Sequence, residues 1–186
     1  MNLTLYPDPI LSTRCSPIED VSAWLADPAT KATIPGMAAL AVSRGGYAVA
    51  APQVGLPARF FVFSVPAAEK FKVPQVWINP EINVIKGETT VLPEGCLSIP
   101  DVGTIRSYRP SYPEFRVERW TELQVSYFDQ DGVERLTTVS GLLARVVQHE
   151  IDHLDGVLVT DRTVGAEHAR AERYLHLLRK RRTVKV

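Results

Sequence analysis

Sulfur is scarce in this sequence: 186 residues hold two cysteines, Cys15 and Cys96, and two methionines, Met1 and Met37. Residues 1–10 carry Asp8 and two prolines in place of the basic and apolar regions of a secretory signal, so a cytoplasmic protein is expected. Two cysteines in such a chain exclude a disulfide framework and leave each thiol a packing or ligand role. For Cys15, in the Ser/Thr/Pro-rich segment 11–17, packing is the expectation. Charge of one sign is also missing. Lys plus Arg and Asp plus Glu both number 21, so no global field draws the chain onto DNA or an anionic membrane, and any basic patch is local. Long apolar runs are absent too. The stretch 36–51 is interrupted by Ser43-Arg44-Gly45-Gly46 and falls short of a membrane span.

What is present fits one ordinary core. With 45% hydrophobic and 23% charged residues, and no repeat, low-complexity tract or linker, the chain reads as a single domain over 1–186 and as a monomer. Short helices are predicted from residue 22 and over 37–44, the second with Pro35 in its first turn and Gly45-Gly46 at its end. Segments 59–65, 75–78 and 82–85 are rich in β-branched and aromatic residues between Pro, Gly or Asn signals, which predicts strands. Segment 123–129, the turn Gln130-Asp131-Gly132 and segment 133–139 form a hairpin signature. After Ser140, Leu142, Leu143, Val146, Val147, Ile151 and Leu154 recur at helical spacing until Asp155-Gly156, which predicts a buried helix. A last amphipathic helix is expected over 167–182, with Tyr174, Leu175, Leu177 and Leu178 docking it, inside a C-terminal helix and basic tail of 164–186. Grouped strands and helices point to an α+β fold, mainly antiparallel strands around a buried central helix.

That central helix carries His149-Glu150-Ile151-Asp152-His153. Residues four apart share a helix face, so His149 and His153 can grip one metal while Glu150 stands beside it as a proton acceptor. A catalytic metal of this kind takes three protein ligands and keeps a position open. The extended zinc-protease pattern His-Glu-x-x-His-x-x-Gly-x-x-His fails, because position 159 is Val and no methionine follows. Glu167 and Glu172 remain candidates on a charged helix. Cys96 is the other, since a thiolate suits a borderline-soft divalent ion, although a lone cysteine is also a common core residue.

The letters around Cys96 decide further. Glu-Gly-Cys-Leu-Ser (94–98) and Gln-His-Glu-Ile-Asp-His-Leu-Asp-Gly (148–156) resemble two of the three motifs of the peptide deformylase family. The third, Gly-φ-Gly-φ-Ala-Ala-x-Gln with φ apolar, is matched at all but one position by Gly46-Tyr47-Ala48-Val49-Ala50-Ala51-Pro52-Gln53. The resemblance runs from Tyr6-Pro7-Asp8-Pro9-Ile10-Leu11 to about Arg162. It implies metal-dependent hydrolysis of the N-formyl group from the terminal formylmethionine of nascent chains. Cys96, His149 and His153 would hold one divalent metal, ferrous iron in the cell, with zinc, nickel or cobalt as substitutes. Glu150 would be the general base, and Gln53 with the backbone N–H of Leu97 would stabilise the oxyanion. Gly95 would let the backbone approach the metal closely. An extended N-formylmethionyl peptide would pair along Gly46, Tyr47 and Ala48. The methionine side chain would enter an apolar pocket near Leu142, Val146 and Tyr47.

Three departures from the family pattern stand out. Ala48 replaces a glycine and adds a methyl at the substrate edge, and Gly45 stands where many members carry a glutamate. Segment 100–115 is longer than in compact members, adding Arg106, Tyr108, Arg109 and Tyr112 as a lip over the cleft. The cluster Arg179, Lys180, Arg181, Arg182 and Lys185 suits contact with ribosomal RNA, as the family resemblance implies, or simply complements a helix C-terminus. Two other functions stay open at the level of residues: a zinc peptidase with a different third ligand, and a metal-stabilised module that captures formylated N-termini without turning them over.

Overall fold

The computed structural model describes residues 1–103 and 111–183, without the side chains of 182 and 183. Asp20 caps a short helix α1 (Val21–Ala26) by accepting from the Ala23 N–H. Asp27 then caps α2 (Pro28–Arg44), with Pro28 in its first turn. The helix therefore starts well before the predicted 37, and Pro35 lies inside it. The Asp-Pro pair is the stronger start signal, because an N-cap carboxylate satisfies an orphan N–H while a first-turn proline has none to lose.

Strands β1 (Ala48–Ala50), β2 (Phe60–Phe63), β3 (Val76–Gly95), β4 (Glu114–Phe128) and β5 (Glu134–Ser140) form one antiparallel sheet in that order. Helix α3 (Val65–Phe71) follows β2, so the predicted strand ends at Phe63 and Val65 is already helical, with Pro66 in the first turn. The two strands predicted over 75–78 and 82–85 are parts of β3. Only Val76, Trp77 and Ile78 pair with β2, and the rest pairs with β4 alone, with register shifts between Ile78 and Glu81, Ile82 and Val84, and Lys86 and Thr89. Prolines fit such a strand because beyond Asn79, whose N–H donates to the Arg59 carbonyl, no strand pairs with its second side among the described residues.

Helix α4 (Gly141–Leu154) lies across the sheet, and from Ala144 to Leu154 His149 alone is not fully buried. Its Ala144, Val147, Ile151 and Leu154 pack with Phe61, Phe63, Trp77, Leu123, Val125 and Tyr127. Trp77 stacks on Tyr127 with centroids 3.7 Å apart. The α2 side forms a separate core with Met37, Ala41, Val49, Phe60, Val62 and Ile78. Gly156 ends the turn after α4 at φ +74°, where a Cβ would lie 2.8 Å from the Ser12 carbonyl carbon. Glycine is required there for both conformation and space.

Helix α5 (Gly165–Thr183) docks through Ala171, Leu175 and Leu178 on Leu11, Cys96, Ile99, Phe115 and Val117. Tyr174 is half-buried against this core, whereas Leu177 is exposed and does not dock. Cys15 is buried and unpaired, in the core as expected. Among the described residues no helix is long and apolar enough to cross a membrane.

Candidate metal centre

Two elements deliver the metal-ligating atoms. Helix α4 presents His149 and His153 one turn apart, their rings edge to face with centroids 5.0 Å apart. Cys96 follows the last residue of β3, and its Sγ lies 3.3 Å from His153 Nε2. One ligand atom from each of the three residues lies within 4.8 Å of the others. Glu167 is not part of this group: its carboxylate accepts from the Arg116 backbone N–H and from Arg170. Glu172 lies on α5, beside Arg173, His176 and Leu177.

The electrostatics suit a cation. Burial pushes the Cys96 thiol up, but His153 and His149 outweigh it and hold the pKa down to about 5. Burial pushes His149 down, but Cys96 and Glu94 outweigh it and raise it to about 10. A buried thiolate with two imidazoles is a donor set for a borderline-soft divalent ion. Burial also raises the pKa of Glu150, and its Oε2 is buried with no hydrogen-bond partner among the described residues. A carboxylate oxygen left bare beside such a donor set is suited to a water molecule brought there by a metal.

Gln53 comes from the turn Ala51–Val54 and is 2% exposed. Its Oε1 accepts from the Ala50 N–H at 2.9 Å, which fixes the amide so that Nε2 faces Ser98 Oγ at 3.2 Å and Cys96 Sγ at 3.8 Å. The Leu97 N–H donates to no backbone acceptor among the described residues. Gly46 makes room for Leu97, since a Cβ there would meet Leu97 Cδ1 at 2.9 Å. Gly95 imposes no such limit, because its Cβ would touch Tyr112 and Pro113 at ordinary distances.

These groups share a cleft of about 410 Å³ lined by Gly46, Tyr47, Ala48, Gln53, Leu97, Leu142, Val146, His149 and Glu150. β1 is an edge strand whose second side is unpaired among the described residues. Leu142 is 43% exposed, so it is a wall of the cleft and not core, whereas Val146 is buried and reaches both. The Ala48 methyl is buried in the core beneath α4. Of the proposed lip, Tyr112 lines the cleft, while Arg106, Tyr108 and Arg109 lie outside the described residues.

Glu94 has no role that the sequence alone assigns. This buried carboxylate contacts His149 Nδ1 at 3.1 Å, Arg119 at 3.1 and 3.0 Å, and Arg145 at 2.6 Å. Burial would raise its pKa, but His149 and Arg119 hold it at about 2. Asp152 pairs with the far side of Arg119 and with Arg162. The signal lay in the spacing: a ligating imidazole needs an acceptor for its second nitrogen, and Glu94 sits two positions before the thiol.

A family model described as polypeptide deformylase matches residues 1–169. A peptide deformylase of Agrobacterium fabrum is 39% identical over 162 residues, covering 86% of this chain and 84% of its own. One of Rhizobium meliloti is 37% identical over 159 residues, 86% of this chain and 82% of its own. Among solved structures, peptide deformylase 1B of Arabidopsis thaliana superposes with a TM-score of 0.80 at 31% identity, covering 98% of this chain and 92% of its own. The peptide deformylase of Thermotoga maritima gives 0.72 at 35% identity, covering 88% and 97%.

Proposed function

The chain belongs to the polypeptide deformylase family, metallohydrolases that remove the formyl group from an N-terminal formylmethionine, and from the layout of its cleft we propose which side chains divide that work. Cys96, His149 and His153 hold one divalent ion, ferrous iron in the cell, with zinc, nickel or cobalt able to substitute. When bound, such an ion polarises the formyl carbonyl and lowers the pKa of water, so that hydrolysis runs near neutral pH.

Glu150 takes the proton from the attacking water at Oε2, then passes it to the departing amine as the C–N bond breaks. The observation that carries this role is the buried Oε2, without a hydrogen-bond partner among the described residues, on the helix that presents His149 and His153 and electrostatically coupled to them and to Cys96. Gln53 Nε2 and the Leu97 N–H donate to the oxygen that gains charge in the transition state. Holding the Gln53 amide by its own carbonyl end means the donor needs no reorientation during the reaction.

The N-formylmethionyl peptide lies extended along Gly46, Tyr47 and Ala48, adding a strand to the open side of β1. Leu142 and Val146 flank the methionine side chain. The test is formate release from formyl-Met-Ala by metal-loaded protein, beside metal content. Cys96→Ala should lose metal and activity together, and full retention of both would sink the ligand assignment.

The protein acts as a cytoplasmic monomer and meets nascent chains at the ribosome through the basic end of α5. In support, that end carries Arg179, Lys180 and Arg181, and the sequence adds Arg182 and Lys185. Arg181 donates to the Val102 carbonyl and Arg179 lies over the Tyr6 ring, so part of the cluster also ties α5 down. Co-sedimentation with ribosomes should weaken steeply as salt rises; salt-independent binding, or none at low salt, would refute the contact.

A further inference from the structure

The cleft has an exit as well as a reacting end. The Ala50 end of β1 leads into Gln53 at the metal group, and its other end runs back through Gly46 to Arg44, the last residue of α2, which lines the same cleft. A peptide on the open side of β1 with its formyl group at Gln53 therefore runs toward Arg44. At roughly 3.3 Å per residue, the positions that reach it are the one or two after methionine.

Arg44 is a cation with no acid partner among the described residues. No carboxylate stands within ion-pair distance of it among the described residues, Glu114 of the same cleft included. Residues 104–110 contain no Asp or Glu to supply one. The other cleft arginine, Arg145, is neutralised by Glu94 at 2.6 Å. Tyr112 stands beside Arg44: burial pushes its phenol up, and the Arg44 guanidinium opposes that rise.

We propose that Arg44 is a specificity-determining residue that favours substrates carrying a carboxylate one or two positions after formylmethionine. The carboxylate is an acidic side chain or the free end of a short peptide. The inference rests on the deformylase reading and on the β1 track. Arg44 is half-exposed and meets the peptide past the methionine, away from the bond that breaks. Its contact is therefore made equally in ground and transition states, lowering KM and leaving kcat alone.

The experiment uses full-length, metal-loaded protein and pairs of C-terminally amidated peptides: formyl-Met-Glu-Ala against formyl-Met-Gln-Ala, and formyl-Met-Ala-Glu against formyl-Met-Ala-Gln. Formyl-Met-Ala as free acid and as amide separates the terminal carboxylate from the side-chain source. At low salt the acidic member of a pair should show kcat/KM higher by roughly two- to fivefold, through KM. The ratio should fall toward one at high ionic strength. Arg44→Gln should bring it to about one, and Arg44→Glu should invert it. Because the ratio is taken within one protein, a general loss of activity does not obscure it, and the salt series needs no variant. A ratio of one for every pair in the unsubstituted protein, or an unchanged ratio in Arg44→Gln, overturns the proposal. Absence of formate from all peptides, neutral ones included, would instead overturn the deformylase reading on which it rests.

Discussion

Replacing Glu94 by Ala should damage both the stability of the chain and its hold on the metal. Glu94 is 8% exposed and joins three partners, so its removal leaves the Arg119 and Arg145 guanidiniums without their shared carboxylate. Arg119 keeps Asp152, but among the described residues Arg145 retains only Thr90 and the Val117 carbonyl. Breaking a buried ion pair by deleting one partner costs about 3–5 kcal/mol, a large share of the roughly 5–15 kcal/mol that holds a domain folded. For a chain of this size that corresponds to a fall in Tm of about 6–20 °C. His149 also loses the acceptor that fixes its ring, and such losses weaken metal affinity by roughly 10- to 100-fold. Glu94→Gln keeps the shape and one acceptor oxygen, so its losses should be smaller but still measurable. The assay is urea unfolding in the presence of a chelator, which removes metal linkage from the comparison, followed by a separate metal competition titration. A Glu94→Gln variant with an unchanged urea midpoint and unchanged metal affinity would refute the reasoning.

Further expectations follow from other side chains. Glu150→Ala should retain its metal by elemental analysis while formate release falls by about two orders of magnitude or more; a fully active, metal-loaded variant would remove Glu150 from the mechanism. Asp129 accepts from the Asp131 and Val133 N–H groups and from Arg135. Although burial opposes it, these bonds hold its pKa below the ordinary value. A depressed folded pKa gives stability that is fully present above the unfolded value, near 3.9, and lost as the pH falls through the folded one. Asp129→Asn should therefore flatten the acid limb of a stability profile below about pH 4, and an unchanged limb would count against the turn's role. Ala48→Gly should cost about 1–2 kcal/mol, because the methyl is packed in the core and glycine weakens a strand. A severalfold gain in kcat/KM from that change would mean that the methyl crowds the substrate after all.

The helix with the two histidines was legible in the sequence because its apolar spacing, its polar motif and its stop at Asp155-Gly156 agree. The hairpin at Gln130-Asp131-Gly132 was legible for a similar reason: the turn chemistry and the flanking alternation point the same way. Cys96 became readable only through the motif around it, since a thiol's role depends on which distant groups the fold brings near. Glu94 was missed on that account. Its partners Arg119, Arg145 and His149 lie 25, 51 and 55 residues away, so only its place two positions before the thiol sets it apart from a solvated glutamate. The long β3 was misread because Pro80, Gly87 and Pro93 look like breaks. They are tolerated by a strand that has register shifts and, beyond Asn79, one partner strand among the described residues. Pro35 misled for a different reason: it resembles a first-turn proline, while the true start at Asp27-Pro28 carried the better cap.

Cys96 and His153 are 57 residues apart in the chain and belong to different cores, the thiol to the one that docks α5 and the α4 face to the one beneath the sheet. An ion held by both would tie two of the three hydrophobic cores together, closing a long loop without needing an oxidising compartment. Affinity for the metal would then add to the stability of the fold, so the free metal concentration would bear on cohesion as well as on turnover.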